Sequence, residues 1–359
     1  MKTAIRLVER GLVPKPLIRR AIRRLLRDRL AELEGIFGAD RDAALQDWVR
    51  TMRAGPIAPV PDKANEQHYE VPPELFQLAL GARLKYSSAY YPEDMGEFTT
   101  LDEAEEEMLA LTAKRAGLAD GQEILELGCG WGSLSLWMAE RFPSARILSV
   151  SNSAQQREWI TARACERGLA NLKVVTCDMN AFAPDDFTGD ERRFDRVVSV
   201  EMFEHMRNWE ELLARVSRWI QPTGRVFLHV FAHSRYAYPF EVRDESDWMS
   251  RYFFTGGMMP SFDLVDHLDA PFEVEERWLV EGTHYARTSE DWVRNFERHR
   301  DEVMPVLART YGARQAGVWF QRWRIFFLAC AELFAFDEGR EWVVCHQLLR
   351  PKRREGSRR

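Results

Sequence analysis

The stretch at residues 124–133 (Ile-Leu-Glu-Leu-Gly-Cys-Gly-Trp-Gly-Ser) constrains the fold of this chain more than any other. Its apolar start is typical of a short buried strand, and that pattern ends at Gly128, Gly130 and Gly132. Glycines at a strand-to-helix turn let the backbone approach a ligand closely, and the free N–H groups of the next helix point at that ligand. The stretch therefore predicts a nucleotide or nucleoside site at the carboxyl end of a parallel sheet.

Strand and helix patterns alternate around this turn. The predicted strands cover residues 122–127, 146–151, 172–176, 194–200 and 225–231. The helical patterns between them cover residues 132–141, 153–167 and 208–220. Such a βαβ series predicts an α/β fold with a doubly wound, mostly parallel, Rossmann-like sheet. Further on, we expect a strand over 272–280 and helices over 289–310 and 312–334.

Both ends of the chain are basic. Residues 1–30 hold ten Lys and Arg against two acidic residues, and apolar residues recur among these arginines at helical spacing. We expect helices that pack on the protein, although a basic amphipathic helix can also lie on an anionic membrane. The expected domains are an N-terminal helical extension with a Pro-rich linker (1–66), a helical cap at the ligand site (67–120), the Rossmann-like core (121–234), and an aromatic lid insertion with the remaining strands and helices (235–359).

Composition argues against several classes of protein. The five cysteines are scattered, without a C-x-x-C pair, which predicts reduced thiols in a cytoplasmic protein. His229 and His233 are four residues apart, but on a predicted strand, so we expect no metal site. The basic ends lack the interleaved aromatic residues of single-strand nucleic-acid binders, so no nucleic-acid partner is expected. Whether the chain forms a homodimer stays open.

Polar residues follow the predicted parallel strands, where a doubly wound sheet binds its ligand. Ser151, Asn152 and Gln156 follow the second strand, and their hydroxyl and amide groups suit a ribose. Asp178 follows the third strand, and its carboxylate suits the amino group of an adenine. The fourth strand is followed by a titratable cluster of Glu201, Glu204 and His205. The order of these groups along the chain fits the parts of an adenosine.

The pattern E-x-G-x-G-x-G at residues 126–132 resembles motif I of S-adenosylmethionine (SAM) methyltransferases. Further motifs, in order, resemble the cyclopropane-fatty-acid-synthase-like group of these enzymes and, within it, the coclaurine-type N-methyltransferases. They are His68-Tyr69-Glu70-Val71-Pro72, Tyr86-Ser87-Ser88, Val150-Ser151-Asn152-Ser153, Met202-Phe203-Glu204-His205-Met206, Asp247-Trp248 with Tyr252-Phe253-Phe254, and Arg287-Thr288-Ser289-Glu290-Asp291-Trp292. The resemblance implies a class I SAM methyltransferase sheet with SAM as the cofactor.

The resemblance also implies roles for individual residues. The positions that match cofactor contacts are Tyr86, Ser87, Gly128, Gly130, Ser151, Gln156 and Asp178, and the residue pattern adds Tyr69, Gly132 and Asn152. The faces of Tyr69 and Tyr86 suit the positive sulfonium of SAM through cation–π contact. Glu204 and His205 match positions with catalytic roles in the amine enzymes. An amine must attack in its neutral form. With Glu201 beside them, Glu204 and His205 are expected to take the proton from the amine.

The acceptor is expected to be a small aromatic amine. Lipid-modifying relatives hold a bicarbonate ion at positions that match Glu204, His229 and Tyr285, but Ser88 and Phe231 stand where those enzymes have Cys and Ile. A lipid-acting cyclopropane synthase or C-methyltransferase is therefore the alternative. A non-catalytic SAM- or lipid-binding module is a third interpretation, against which the Glu204–His205 pair argues. The predicted acceptor pocket comprises Ser88, His229, Phe231, Tyr236, Trp248, Tyr252, Phe254 and Tyr285.

Overall fold

A computed structural model describes residues 2–60, 71–96, 99–242 and 248–353. Its strands are β1 (Glu123–Leu127), β2 (Arg146–Ser151), β3 (Leu172–Thr176), β4 (Phe194–Val200), β5 (Ile220–His233), β6 (Tyr238–Pro239), β7 (Met258–Met259), β8 (Phe272–Val280) and β9 (Trp342–Pro351). Within these residues, seven strands form the central sheet in the order β3-β2-β1-β4-β5-β9-β8, and β6 pairs with β7. The strands from β1 to β5 are parallel, and β9 runs antiparallel to β5 and β8.

The predicted α/β fold is confirmed. The strands over 146–151, 172–176, 194–200 and 272–280 have the predicted bounds. The centre of the sheet is covered on both faces, which explains why β1 is an almost continuous apolar run: Ile124, Leu125 and Leu127 are all fully buried. The parallel arrangement brings the carboxyl ends of β1, β2, β3 and β4 to one edge of the sheet.

The C-terminal part differs from the expectation in one strand and in its helix bounds. Strand β9 was not predicted, because Trp342, Val343, Val344 and Cys345 are all fully buried and show no alternation of polar and apolar residues. The helix expected over 289–310 is two helices.

The helices are α1 (Lys2–Glu9), α2 (Lys15–Phe37), α3 (Arg41–Arg53), α4 (Pro73–Ala79), α5 (Leu101–Ala116), α6 (Ser133–Arg141), α7 (Ala154–Glu166), α8 (Asp185–Thr188), α9 (Trp209–Trp219), α10 (Trp248–Tyr252), α11 (Gly282–Arg298), α12 (Arg300–Tyr311) and α13 (Ala316–Phe334). The helical conformation is interrupted at His299, between α11 and α12, and this interruption lets both helices pack against α4. Thr100 caps α5 in a reciprocal arrangement with Glu103.

The N-terminal helices pack on the body of the protein, as expected. Ile18, Leu33 and Phe37 of α2 are buried, and α2 lies against α13. Arg19 of α2 donates to Glu290 and to Glu332, both at 2.6 Å, so part of the basic face is paired with the body. Among the described residues, no helix is long and apolar enough to cross a membrane.

Candidate active site

The carboxyl ends of the parallel strands open into two adjoining cavities. The larger has a volume of about 800 Å³ and the smaller of about 60 Å³. Gly128, Gly130, Gln156, Met202 and His205 line both. We call the smaller space with this shared wall the strand-end cavity, and the larger one the main cavity.

The glycine-rich turn has two kinds of glycine. Gly130 has φ +51°, and nothing lies within 4 Å of the place where a Cβ would be, so its backbone faces open cavity space. Gly128 also lines both cavities, but a Cβ there would stand 2.5 Å from the side chain of Met202. Gly132 lines neither; a Cβ on it would stand 2.6 Å from Ile160, so this glycine allows α6 to start close to α7.

The predicted ribose and adenine groups lie in the strand-end cavity. Ser151, Asn152, Gln156 and Asp178 all line it. Ser151 Oγ donates to Gln156 Oε1 at 2.6 Å, which leaves the amide nitrogen of Gln156 buried without a hydrogen-bond partner among the described residues. A buried donor of this kind calls for a ligand that accepts. Together with the open face of Gly130, this donor suits an adenosine-bearing cofactor such as SAM that extends between the two cavities.

Tyr86 and Ser87 line the main cavity, next to the glycine-rich turn. The preceding Lys85, which no sequence pattern singled out, also lines it, and its ammonium group donates to Ser87 Oγ. Burial lowers the pKa of Lys85 to about 8, against the opposing attraction of Glu201 and Glu105. Tyr69, the other tyrosine expected near the sulfonium, lies outside the described residues.

Glu201 is the best-bonded carboxylate of the titratable cluster. It follows β4 with φ +47°, a left-handed conformation that is costly for a residue other than glycine. Its Oε1 accepts from Ser88 N at 3.0 Å and lies 3.2 Å from His229 Nε2, and its Oε2 accepts from Tyr285 Oη at 2.7 Å. Burial raises the pKa of Glu201, whereas the nearby Lys85 and these donors act in the opposite direction.

Glu204 lies behind the cavity wall. It is 1% exposed, does not line either cavity, and accepts from Phe231 N at 2.7 Å through Oε1. Burial and the charge of Glu201 raise the pKa of Glu204 well above the usual value. Of the two carboxyls, Glu201 has more donors and a nearby cation, so Glu201 ionises at a lower pH than Glu204.

His205 stands at the junction of the two cavities. Burial lowers its pKa to about 4, against the attraction of Glu201, so the imidazole is neutral at physiological pH. Its ring is stacked near Phe254, with the ring centres 6.2 Å apart. A neutral imidazole beside an ionised carboxylate can accept a proton from a bound ligand.

Half of the predicted acceptor pocket lines the main cavity. Phe231, Trp248, Phe254 and Tyr285 do so, and Phe334 stacks on Tyr285 with the ring centres 4.1 Å apart. The remaining four predicted pocket residues are engaged elsewhere and do not line the cavity.

These four are occupied by their neighbours. Ser88 Oγ donates to the carbonyl of Ala89, and His229 lies behind Glu201. Tyr236 donates to Glu34 of α2 at 2.6 Å, and Tyr252 lies beneath the guanidinium of Arg322. Local aromatic composition could not separate these positions from true wall residues.

The residues that cover the main cavity, which we call its roof, were not predicted from the sequence. It comes from the N-terminal helices and α13, which are distant from the strand ends along the chain. The roof residues include Ile5, Val8, Ile18, Ile22, Leu25, Leu26, Arg29, Ile325, Phe326, Ala329, Cys330 and Leu333. Their apolar spacing is that of any packed helix, so it carries no signal that they face a cavity. No group of three or more His, Cys, Asp or Glu among the described residues is arranged to hold a metal ion.

Comparison with known proteins agrees with this geometry. The model of the mycolic acid cyclopropane synthetase family matches residues 60–347. The (S)-coclaurine N-methyltransferase of Thalictrum flavum subsp. glaucum is 33% identical over 96% of this chain and 94% of its own length. The cyclopropane-fatty-acyl-phospholipid synthase of Escherichia coli (strain K12) is 28% identical over 78% of this chain and 66% of its own.

A solved structure extends the match to three dimensions. Coclaurine N-methyltransferase bound to N-methylheliamine and SAH (S-adenosylhomocysteine) superposes with a TM-score of 0.90 at 32% identity, over 97% of this chain and 99% of that one. The chain therefore belongs to the mycolic acid cyclopropane synthetase family and is a SAM-dependent methyltransferase.

Proposed function

We propose that this protein transfers the methyl group of SAM to the nitrogen of a small aromatic amine. The observation that carries the proposal is the position of His205. This neutral imidazole lines both the strand-end cavity, whose polar groups suit the adenosine of SAM, and the main cavity, whose walls are aromatic. A nitrogen bound in the main cavity therefore meets a proton acceptor at the point where the two ligands meet.

The chain's own residues align and deprotonate the acceptor. SAM supplies a methyl group on a positively charged sulfur, and transfer requires the attacking nitrogen to stand in line behind that methyl. Phe231, Phe254 and Tyr285 hold the aromatic part of the amine by stacking and by excluding water. The amine attacks in its neutral form, His205 accepts its proton as methylation makes the nitrogen positively charged, and the carboxylate of Glu201 stabilises that charge.

The similarity to amine methyltransferases supports a small amine as the acceptor. The coclaurine and pavine N-methyltransferases of Thalictrum flavum subsp. glaucum match this chain at 33% and 30% identity. The main cavity, at about 800 Å³, lies within the range of about 300 to 1,000 Å³ that is usual for small-molecule sites. Such a space is large enough for the methyl-bearing end of SAM together with a small polycyclic amine.

The lipid-acting alternative has less support. It would need a bicarbonate ion among the residues that match Glu204, His229 and Tyr285. Of these, only Tyr285 lines the main cavity, and its hydroxyl donates to Glu201. Both nitrogens of the His229 ring have protein partners, Glu201 and His346.

The test is turnover with two kinds of acceptor. Purified protein is incubated with SAM and either heliamine, a tetrahydroisoquinoline amine, or vesicles of unsaturated phospholipid, and S-adenosylhomocysteine and methylated products are quantified by mass spectrometry. We expect N-methylated heliamine and no modified lipid. His205→Gln should lose most of the activity, whereas the control His267→Gln, at a histidine paired with Asp263 outside both cavities, should keep it. Modified lipid without methylated amine would contradict the proposal.

A further inference from the structure

A buried row of hydrogen bonds leads from the main cavity through the sheet to α5. Glu201 Oε1 lies 3.2 Å from His229 Nε2, His229 Nδ1 lies 2.9 Å from His346 Nε2, and His346 Nδ1 lies 2.7 Å from Arg115 Nη1. The two histidines are direct partners on β5 and β9, and both are 0% exposed. We call these four residues the Arg115–Glu201 row.

The guanidinium at one end fixes the direction of every bond in the row. An arginine side chain can only donate, so His346 must accept through Nδ1. A neutral His346 then carries its hydrogen on Nε2 and donates to His229 Nδ1. His229 in turn carries its hydrogen on Nε2 and donates to Glu201. The opposite direction would leave a ring N–H of His346 facing the guanidinium, which is two donors without an acceptor.

We infer that Arg115 and His346 are positioning residues, which hold His229 in the tautomer that donates to Glu201 and so favour the ionised form of Glu201 at the cavity wall. Neither residue lines the main cavity. They act through His229, in the way that a second hydrogen bond selects the reactive tautomer of a catalytic or metal-bound histidine.

The electrostatic surroundings agree with this direction. Burial lowers the pKa of both His229 and His346 well below the usual value, and Arg115 and Lys85 act in the same sense, so both rings stay neutral. The titratable groups that face the row from the neighbouring elements are Lys85, Tyr90, Glu105, Glu204, His205, Tyr285 and Cys330. Of these, Lys85 is the cation that favours an ionised Glu201, and Glu204 is the carboxyl that opposes it.

The row deepens the proposed function, on which its catalytic consequence rests. An ionised Glu201 beside His205 favours the positive charge that amine methylation brings into the cavity. Loss of the His229 donor raises the pKa of Glu201, because a hydrogen bond to a carboxylate favours its charged form. The acid limb of the pH profile of kcat/KM then moves to higher pH.

The first measurement needs no turnover. Full-length protein labelled with ¹⁵N-histidine is studied by NMR, because the protonated and unprotonated nitrogens of a neutral imidazole have distinct ¹⁵N shifts. We expect His229 and His346 to be Nε2–H tautomers that do not titrate around neutral pH. His233 is the internal reference: it is also fully buried on β5, but its Nδ1 accepts from Arg235 N and Tyr236 N, outside the row.

Two substitutions at one position separate positioning from packing. His346→Leu removes the link, whereas His346→Gln keeps an acceptor for Arg115 and a donor for His229. We expect the Leu variant to lose the single tautomer of His229, to lower kcat/KM about 10- to 100-fold and to shift the acid limb upward. The Gln variant should restore all three, and the His233 signals should not change in either.

The outcomes are distinct. If His229 keeps the Nε2–H tautomer and the acid limb stays in place in His346→Leu, the inference is wrong, whatever the activity. Arg115→Met provides a second route, because it removes only the terminal donor and should reproduce the tautomer change if His346→Leu fails to fold. If no amine is methylated by the wild type while the tautomers are as expected, the proposed acceptor is wrong and the row stands.

Discussion

At the scale of single residues, one residue with a positive φ lies on the cofactor side of the site and another lies on the acceptor side. Gly130 and Glu201 follow neighbouring strands, β1 and β4, and both have positive φ, at +51° and +47°. Gly130 gives a ligand access to the backbone, while Glu201 accepts a strained conformation that costs of order 1 to 3 kcal/mol and aims its carboxylate into the cavity. The sheet places the cofactor turn and the acidic group side by side.

A methyl group at Gly130 should selectively weaken the binding of the cofactor. Gly130→Ala puts a Cβ into the open space of the cavity, and we expect SAH affinity to fall at least about tenfold, or 1.4 kcal/mol. Gly121→Ala is the matched control, because Gly121 also has positive φ and open space around a Cβ but lies before β1, outside both cavities. Calorimetry and thermal unfolding of both variants check the prediction. Equal affinity losses would mean that backbone strain, not the site, is responsible.

The two candidate bases should respond differently to substitution by glutamine. Burial and the charge of Glu201 raise the pKa of Glu204 and so favour its neutral form, for which glutamine is a close substitute; in Glu204→Gln, kcat should fall less than about tenfold. His205→Gln removes the proton acceptor and should lower kcat about 100-fold or more, with SAH affinity little changed. Since the pKa of His205 is about 4, its protonation should cause no loss of activity between pH 8 and 5. A larger kcat loss in Glu204→Gln would make Glu204 the base.

The sequence predicted the residues that follow strands better than those that line walls. Ser151, Asp178 and Glu201 sit at strand ends, and parallel topology alone brings such residues together. The tyrosines of the lid were harder. Tyr236 and Tyr252 have the same local surroundings in sequence as Phe231 and Phe254, and only partners from distant helices, Glu34 and Arg322, turn them away from the cavity.

At the scale of elements, α2 lines the main cavity, and partly buried ion pairs hold it in place. Arg19 and Arg23 both bind Glu332 of α13, whose side chain is 5% exposed, and Arg19 also binds Glu290 of α11. Lys15 is paired with Glu297 further along α11. The helix that covers the acceptor is therefore tied to the two helices that carry Tyr285 and Phe334.

Loosening α2 should affect the acceptor more than the cofactor. Arg19→Met removes bonds to both glutamates, which should destabilise the fold by about 2 kcal/mol and raise the KM of the amine about tenfold. SAH affinity should change little. Arg20→Met is the control, since Arg20 is the exposed neighbour on the same helix. Steady-state kinetics and thermal unfolding measure both effects; a KM unchanged in Arg19→Met would show that α2 does not control access.

Strand β9 and the roof of the main cavity are features that sequence periodicity does not predict. A strand covered on both faces loses its period-two signal, so Val343, Val344 and Cys345 looked no different from the helix before them. The apolar face of α2 was predicted correctly, but a helical pattern does not tell whether its apolar face meets packed side chains or a cavity. Ile22 and Leu26 do the latter.

At the scale of the whole molecule, the basic N-terminus has a limited surface to offer a membrane. Interfacial helices bind by inserting an apolar face, and that face of α2 is turned toward α13 and the main cavity. Arg20, Arg24 and Arg27 remain exposed, and each is worth about 1 kcal/mol near an anionic surface. The acidic remainder of the chain opposes such an approach.

We therefore expect no stable binding to lipid. In flotation with phosphatidylserine-containing or purely zwitterionic liposomes at physiological salt, the protein should stay in the bottom fraction. Co-flotation with the anionic vesicles that is lost on replacing Arg20, Arg24 and Arg27 by Glu would contradict this and favour a lipid-borne acceptor. Binding that survives the replacement would point instead to exposed leucines such as Leu17.

The pairing of Arg19 with Glu332 spans 313 residues, and it has a consequence for biosynthesis. The helices that cover the catalytic chamber leave the ribosome long before α13, the helix that receives them. Until then, the apolar face of α2 lacks its native partner α13, and closing so long a loop slows folding. Nascent chains of this enzyme should thus expose the basic, apolar segment of α2 until α13 has been synthesised, a period in which exposed apolar surface favours aggregation.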